Sequence, residues 1–215
     1  MATQVQAEEP QPLTSQNDML NYSIGVETGR NLKKQGVDVN LDLMVRGMKD
    51  GLSGEKPLIP EKTLRKIMND LQVELRRTQA QTMRNRADDN KKKGEAFLAS
   101  NKSKPGVVTL PSGLQYRVIK EGNGPRPQDT DTVLCNYRGT FLNGSEFDSS
   151  PEGAPAKFTM QTVVPGFREA LKLMQTGSKW QVFIPPQLAY GPRGAGKDIG
   201  PNETLIFEME LVSLK

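Results

Sequence analysis

The stretch NYRGTFLNGSEFDSS, residues 136–150, predicts a β-hairpin that brings aromatic rings and a carboxylate together. Asn143-Gly144 is a strong signal for a tight turn between two antiparallel strands. The turn places Tyr137 on one strand and both Phe147 and Asp148 on the returning strand, so their side chains lie close together. The hairpin therefore makes this cluster the first candidate for a binding or catalytic site.

Alternating apolar and polar residues extend on both sides of the hairpin through residues 104–215. This alternation predicts half-buried antiparallel strands, most clearly at residues 114–118, 179–184 and 205–211. Between the strands, VVPGFREALKLMQTG predicts one short helix that begins at Pro165 and ends at Gly177. A short helix packed against an antiparallel sheet predicts an α+β domain of about 110 residues.

Residues 15–60 predict two short amphipathic helices. The first is capped by Ser15 or Asn17 and ends at Gly36, and the second is capped by Asn40. These helices have too little apolar surface to be stable alone, so we expect a second copy of the chain to cover them in a homodimer. The alternative is a small monomeric helical domain that keeps its methionines in its own core, namely Met19, Met44, Met48 and Met68.

Residues 61–103 lack proline and are rich in strong helix formers, so they predict one long helix. At 1.5 Å per residue this helix is about 60 Å long, and we expect it to connect the helical region to the α+β domain. Gly94 is the weak point of the pattern. Residues 1–14 are polar and contain proline, and we expect a disordered tail because they have little apolar surface to offset their ordering entropy.

The composition excludes several classes of enzyme. The sequence has no histidine, which removes the commonest general base, the usual zinc ligand and every Ser-His or Cys-His nucleophile pair. The single cysteine, Cys135, lies in an apolar strand pattern, so we interpret it as a buried structural thiol. GPRGAGKD, residues 191–198, resembles a phosphate-binding loop but lacks its Ser or Thr and the helix that should follow. No cofactor and no metal ion are therefore predicted.

The charge distribution does not indicate nucleic-acid binding. The net charge of +4 comes from 29 basic and 25 acidic residues, and residues 61–104 alone contain 12 basic and 6 acidic residues. A basic helix face without interleaved aromatic residues is typical of a solvated surface. No apolar run approaches the roughly 20 residues of a membrane-spanning helix, so no transmembrane segment is predicted. The polar first residues suit either a cytosolic tail or a mature exported protein.

A sheet that curls around the short helix would form an apolar cleft beside the hairpin. Val163, Val164 and Phe167, at the start of that helix, would supply the base, and Asp148 would lie at the rim. The surrounding side chains are aromatic: Tyr137, Phe147, Phe158, Tyr190 and Phe207. Tyrosines and an aspartate are poor choices for a fully buried core, which favours a ligand cleft over a packed aromatic core.

The sequence also resembles a known family. Four stretches of residues 104–215 are similar, in order and spacing, to the FKBP-type peptidyl-prolyl cis-trans isomerase domain: SGLQYRVIKEG, VLCNYRGTFLNGSEFDSS, VVPGFREALKLMQTGSKWQVFIPPQLAYG and NETLIFEMELVSL. Two further stretches resemble the macrophage infectivity potentiator and FkpA group of bacterial isomerases: YSIGVETGRNLKKQG and KKKGEAFLASNKSKPGVVTLPSGLQY. The resemblance implies an N-terminal all-α dimerisation region at residues 15–60, a long connecting helix, and a curved antiparallel sheet wrapped on one short helix.

Carried over residue by residue, the resemblance implies three catalytic residues, Tyr137, Asp148 and Tyr190. It also implies a pocket for substrate and for macrolide inhibitors of these enzymes, formed by Phe147, Phe158, Val163, Val164, Phe167, Ile199 and Phe207. Phe167 stands where the family usually has a tryptophan, and Ala156 stands where it often has another aromatic residue. These departures imply a wider pocket with altered ligand preference.

The function that the resemblance implies is isomerisation of X-Pro bonds in proline-containing client proteins, with chaperone activity as a homodimer. The implied location is the periplasm, or the outer membrane and cell surface, of a Gram-negative bacterium. Rotation about a prolyl amide needs no proton transfer, which suits a chain without histidine. Two alternatives stay open: a catalytically weak FKBP-like binding module or holding chaperone, and a structural or adhesion protein.

Overall fold

A computed structural model describes residues 13–215 of the chain. The described residues divide into two compact units, of which the first ends at Arg77 and the second spans Thr78–Lys215. The disordered tail predicted for residues 1–14 lies almost wholly outside the described residues. The boundary between the units falls within a long helix, and each unit is described by itself.

The first unit contains helices α1 (Gln16–Gln35) and α2 (Leu41–Ser53), whose ends follow the predicted caps. The Ser15 hydroxyl accepts a hydrogen bond from a first-turn backbone N–H, and the Asn40 side chain does the same for α2. Gly36 ends α1 in the left-handed conformation, with φ of 72°. These observations confirm the predicted helices, caps and stop signal. Such features can be predicted from the sequence because each depends on hydrogen bonds between residues that are close in the chain.

Neither α1 nor α2 has a buried residue. Met19, Met48 and Met68 are each about half exposed, at 50%, 49% and 55%. A single copy of the chain therefore does not bury these methionines in a core of its own, as the monomeric alternative requires. The two helices leave an apolar hollow of about 510 Å³ between them, lined by residues that include Leu32, Val37, Leu41, Met44, Val45 and Met48.

Helix α3 (Glu61–Asn101) is continuous over 41 residues, which confirms the single long helix. In the second unit, its last turns pack against the sheet. The Asn101 side-chain amide donates to the Gln115 side-chain oxygen at 2.9 Å, and the Gln115 amide donates to the Leu98 carbonyl at 2.9 Å. Gly94 is buried, and a Cβ there would collide with the Thr204 hydroxyl. The weak point in the helical pattern is thus a place where the helix backbone approaches the domain closely.

The second unit is built on one antiparallel sheet of seven strands, ordered β1-β2-β6-β7-β3-β4, with β5 pairing with the first half of β3. Register shifts in the β2-β6, β3-β4 and β3-β7 pairs bend the sheet. The strands are β1 (Val107–Thr109), β2 (Gln115–Lys120), β3 (Thr132–Thr140), β4 (Glu146–Ser149), β5 (Ala156–Thr159), β6 (Lys179–Ile184) and β7 (Leu205–Leu214).

Helix α4 (Pro165–Leu173) packs against this sheet and begins at proline, as predicted. Its predicted end at Gly177 is wrong, because Met174 already has an extended backbone, with ψ of 139°. Gly177 instead adopts a positive φ of 87° in the turn that leads into β6. The apolar face of α4 is buried against the sheet through Phe167, Ala170, Leu171 and Met174.

The predicted hairpin joins β3 and β4 through a tight turn. The Gly144 N–H donates to the Phe141 carbonyl at 3.0 Å, and the Phe141 N–H donates to the Ser145 carbonyl at 2.9 Å. Gly144 has φ of 85°, a conformation that glycine adopts without strain. Cys135, on β3, is fully buried, and burial raises the pKa of its thiol to about 12. The interpretation of this cysteine as a structural thiol is confirmed.

Candidate active site

Ten side chains line an open cleft of about 200 Å³ at one end of α4, here called the aromatic cleft: Tyr137, Phe147, Asp148, Phe158, Thr162, Val163, Val164, Phe167, Tyr190 and Phe207. Nine of the ten predicted site residues are among them. Thr162 is additional, and its position immediately before the predicted Val163 was the only signal for it. Ile199 is not among the residues that line the cleft, and its side chain packs against the core.

The base of the aromatic cleft is formed by two nearly buried rings, Phe167 and Phe207, which are 4% and 5% exposed. They meet edge to face, with centroids 5.3 Å apart and planes at 84°. Phe158 packs against Phe167 at 5.7 Å, and Phe147 packs against Phe207 at 5.5 Å. Edge-to-face packing is favourable for aromatic quadrupoles, so these rings give the cleft a well-ordered apolar base.

A glycine in β3 allows these rings to approach the sheet. A Cβ at Gly139 would lie 2.6 Å from Cζ of Phe147 and 2.9 Å from Cε1 of Phe207, which is closer than carbon atoms pack. Gly139 is paired with Asp148 on β4 and with Phe207 on β7. The hairpin and the central strand therefore meet at a position that has no side chain, and the two rings occupy that space.

The polar groups of the aromatic cleft lie at its exposed side. The Tyr137 hydroxyl donates to Oδ2 of Asp148 at 2.7 Å. Burial raises the pKa of Tyr137, and this hydrogen bond raises it further. Burial also raises the pKa of Tyr190, with a smaller contribution from the charge of Asp148. Both phenols are therefore protonated at neutral pH and can donate hydrogen bonds.

Tyr190 belongs to a loop rather than to a strand. It follows a short 3₁₀ turn, Pro186–Leu188, and precedes another, Gly191–Arg193. The bridge between Ala195 and Ile199 closes the rest of this segment. The stretch that resembles a phosphate-binding loop thus has 3₁₀ and turn geometry, without the helix that such a loop requires.

The described residues provide no evidence of a metal centre or a membrane span. Residues 13–215 hold no group of three or more His, Cys, Asp or Glu side chains suited to a metal ion. No helix in that same range is long and apolar enough to cross a membrane.

Comparison with known proteins identifies the family. Residues 124–212 match the family described as FKBP-type peptidyl-prolyl cis-trans isomerase, and residues 17–118 match the domain amino terminal to it. The chain belongs to the FKBP-type peptidyl-prolyl cis-trans isomerase family. The predicted family, fold class and enzymatic activity are confirmed, and the chain is a peptidyl-prolyl cis-trans isomerase.

The similarity of this isomerase to its relatives extends over both units. It is 47% identical over 216 residues to the "Outer membrane protein MIP" of Legionella longbeachae, covering 100% of this chain and 93% of the relative. It is 40% identical to the "Peptidyl-prolyl cis-trans isomerase Mip" of Coxiella burnetii, covering 95% and 89% of the two chains. The crystal structure of FkpA from Escherichia coli matches with a TM-score of 0.73 and 31% identity, covering 95% of this chain and 99% of that one.

Proposed function

We propose that the aromatic cleft is the site of isomerisation and that it holds the proline ring of an X-Pro bond. The observation that carries this proposal is the arrangement of the cleft, with an apolar aromatic base beneath a side that bears Tyr137, Asp148 and Tyr190. A proline ring is apolar and flat enough to pack against such rings. The peptide carbonyls on either side of it need hydrogen-bond donors, which the two phenols can supply.

The chemistry follows from the electronic structure of the amide. Rotation has a barrier of about 18–20 kcal/mol because the planar amide loses its resonance in the twisted state. The twisted imide also loses much of its dipole, so an apolar cleft favours it over the planar form, which water solvates well. Catalysis by this route is stronger binding of the transition state than of the ground state, and no proton changes place.

The polar residues of the cleft have distinct roles in this proposal. The Tyr190 hydroxyl donates to a substrate carbonyl and orients the peptide. Asp148 interacts with the rotating carbonyl, and Tyr137 holds the Asp148 carboxylate through the 2.7 Å hydrogen bond. Macrolide inhibitors of FKBP enzymes occupy the same cleft, with the Phe167 ring beneath them.

Substitution of the polar residues tests the site. We expect Asp148→Ala and Tyr190→Phe each to lower kcat/KM on a prolyl tetrapeptide, measured with a protease-coupled assay, by about tenfold. Asp129→Ala is the matched control, because Asp129 forms an exposed ion pair with Lys172 away from the cleft. Unchanged turnover in both cleft variants would contradict the site assignment. An inactive wild-type enzyme would favour the alternative of a binding module.

The first unit supports a second part of the proposal, that the isomerase acts as a homodimeric chaperone. Helix α2 leaves Leu41, Val45 and Met48 exposed along the apolar hollow, and α1 leaves Leu20 and Ile24 exposed. A second copy of the same surface would cover these side chains, and two catalytic clefts on one dimer would raise the effective concentration of sites around a bound client. Proline-containing proteins are the proposed clients.

Sedimentation tests the dimer. We expect a dimer at micromolar concentration for the wild-type chain and a monomer for Met48→Glu, because a buried unpaired charge opposes association. Lys49→Glu, on the same helix, changes charge at a position outside the hollow and is the control. A monomeric wild-type chain would refute the proposal for the first unit without affecting the isomerase site.

The cellular location is proposed from a relative. The protein of Legionella longbeachae is named an outer membrane protein. We place this isomerase in the periplasm, or at the outer membrane and cell surface, of a Gram-negative bacterium. Cell fractionation with an antibody to the second unit tests this location, and recovery only with cytosolic proteins would contradict it.

A further inference from the structure

The loop that carries Tyr190 is joined to helix α3 within the second unit. Residues 189–200, here called the flap, lead directly into residues 201–204, which contact residues 86–94 of α3. These contacts include hydrogen bonds and an ion pair. In addition, the backbone of Gly94 lies close to the Thr204 side chain, and the backbone of Gly200 lies close to the Arg86 side chain. They connect part of the long helix to a residue of the aromatic cleft.

Asn202 connects α3 directly to the flap. Its side-chain amide donates to the Ala87 carbonyl of α3 at 3.2 Å. Its backbone N–H donates to the Gly191 carbonyl at 2.9 Å, and Gly191 is the residue after Tyr190. Asn202 is thus bonded to the helix through its side chain and to the flap through its backbone.

The backbone conformation of Asn202 makes both bonds possible. With φ of 54°, Asn202 is the single non-glycine residue of the described chain that has a positive φ. Asparagine tolerates this left-handed conformation better than most residues do. A left-handed conformation at a non-glycine residue costs conformational free energy, and the two hydrogen bonds of Asn202 offset this cost.

Residues on both sides of Asn202 are bonded to the same helix. The Asn90 side-chain amide donates to the Pro201 carbonyl at 2.8 Å and to Oε1 of Glu203 at 2.9 Å. Arg86 forms an ion pair with the same Glu203 oxygen at 3.5 Å, and the Glu203 side chain is only 15% exposed. Three consecutive residues after the flap are therefore attached to α3.

Gly200 allows this attachment at the end of the flap. It is buried, and a Cβ there would lie 2.7 to 2.8 Å from the guanidinium group of Arg86. Any side chain at this position would displace Arg86 or the flap. The Arg86 side chain consequently lies against the flap backbone, as well as beside Glu203.

We propose that Asn202, bonded to Ala87 of α3 and to Gly191 of the flap, is a positioning residue for Tyr190, so that the end of the long helix is a working part of the isomerase site. Tyr190 has no strand to fix it, and it lies on a 38% exposed loop position. A hydrogen-bond donor that shifts by about 1 Å loses much of its effect on a transition state. The bond from Asn202 limits such a shift.

The test uses the full-length chain and the substitution Asn202→Gly. Glycine keeps the left-handed backbone and the N–H that bonds to Gly191, while the bond to α3 is removed. We expect kcat on a prolyl tetrapeptide to fall about three- to tenfold with little change in KM, because an orienting contact is lost and the apolar base of the cleft is intact. Asn85→Ala, an exposed asparagine on the same helix, is the control and keeps wild-type kcat.

A double-mutant cycle with Tyr190→Phe separates positioning from general destabilisation. If Asn202 acts through Tyr190, Asn202→Gly lowers kcat in the wild-type background and has almost no further effect in the Tyr190→Phe background. An equal loss in both backgrounds, or no loss in either, would overturn the inference. If Asn202→Gly does not fold, Asn90→Ala, which releases Pro201 from α3, takes its place in the same cycle and is judged by the same outcomes.

The positioning role of Asn202 rests on the proposed site, and the double-mutant cycle shows which of the two is wrong if one fails. If Tyr190→Phe alone leaves kcat unchanged, the assignment of Tyr190 to the site is wrong, and the positioning role fails with it. If Tyr190→Phe lowers kcat while both Asn202→Gly and Asn90→Ala leave it unchanged, the site stands and only the positioning role is wrong.

Discussion

Gly139→Ala tests whether the aromatic cleft depends on the close approach of its rings to β3. A Cβ at this position would lie 2.6 Å from Cζ of Phe147 and 2.9 Å from Cε1 of Phe207. The two atoms must therefore move by about 0.8 and 0.5 Å to restore an ordinary contact of 3.4 Å. Phe207 is nearly buried and packs against Phe167, so it has little freedom to move, and most of the displacement falls on Phe147.

The expected effect of Gly139→Ala on activity is larger than its effect on stability. Overpacking of this kind costs about 1–3 kcal/mol of unfolding free energy, which lowers the melting temperature by about 3–10 °C. If Phe147 contacts the substrate as proposed, a displacement of nearly 1 Å lowers kcat/KM by about ten- to hundredfold. Calorimetry measures the first effect, and the protease-coupled tetrapeptide assay measures the second at a temperature where the variant is folded.

A second substitution provides the control for Gly139→Ala. Phe147→Leu removes the ring whose Cζ makes the closest contact, so Gly139→Ala should cost less stability in that background than in the wild type. An equal loss of stability in both backgrounds would show that the contact with Phe147 does not cause it. Wild-type kcat/KM and melting temperature in Gly139→Ala itself would refute the reasoning altogether.

Three further predictions concern pH, the end of α3 and the extent of the catalytic unit. Because burial raises the pKa of Tyr137 and Tyr190 above the ordinary value of 10.0, the stability from these protonated phenols is fully present below pH 10 and falls as the pH rises further. Denaturant melts from pH 7 to 11 should show this loss, and it should be smaller in Tyr137→Phe/Tyr190→Phe, in which the buried Cys135 thiol, with its pKa raised from 9.0 to about 12, still contributes a loss. Gly94→Ala should lower the melting temperature despite the better helix propensity of alanine, and a rise would show that the helix does not approach the domain as closely as described. A fragment of residues 78–215 should match the full chain in kcat/KM on tetrapeptides, because it contains the whole second unit. A fragment of residues 104–215, which lacks α3, should have a lower kcat/KM. If the two fragments have the same kcat/KM, α3 has no role in the site.

The parts of the fold that could be predicted are those with a local cause. The caps Ser15 and Asn40 and the left-handed Gly36 are visible in the sequence because they satisfy backbone groups within a few residues. The same holds for Pro165 at the start of α4 and for the turn at Gly144. The predicted end of α4 at Gly177 was misplaced, because the backbone is already extended at Met174.

The aromatic cleft could be predicted nearly completely, but Ile199 could not be placed. The cleft residues on strands and on α4 follow from strand alternation and from the start of the helix, together with the family resemblance. Ile199 belongs to the flap, where no period relates one residue to the next. Its backbone is held by the local bridge to Ala195, and its side chain packs against the core, a tertiary contact that strand or helix periodicity does not reveal.

The contacts between α3 and the loop that follows the flap could not be predicted from the sequence. Asn202 and Ala87 are 115 positions apart, and Asn90 and Glu203 are 113 positions apart. In the sequence, Ala87 and Asn90 read as ordinary positions of a polar helix, and Gly94 reads as a weakness in it. Their structural roles depend on the loop after the flap, which lies against the helix. The carbonyl of Ala87 accepts a hydrogen bond from this loop, and the amide of Asn90 donates to two of its residues. Gly94 leaves space for the side chain of Thr204. In the proposed positioning role, a helix whose polar face suggests a solvated connector contributes, through backbone and amide groups, to the position of Tyr190 in the aromatic cleft.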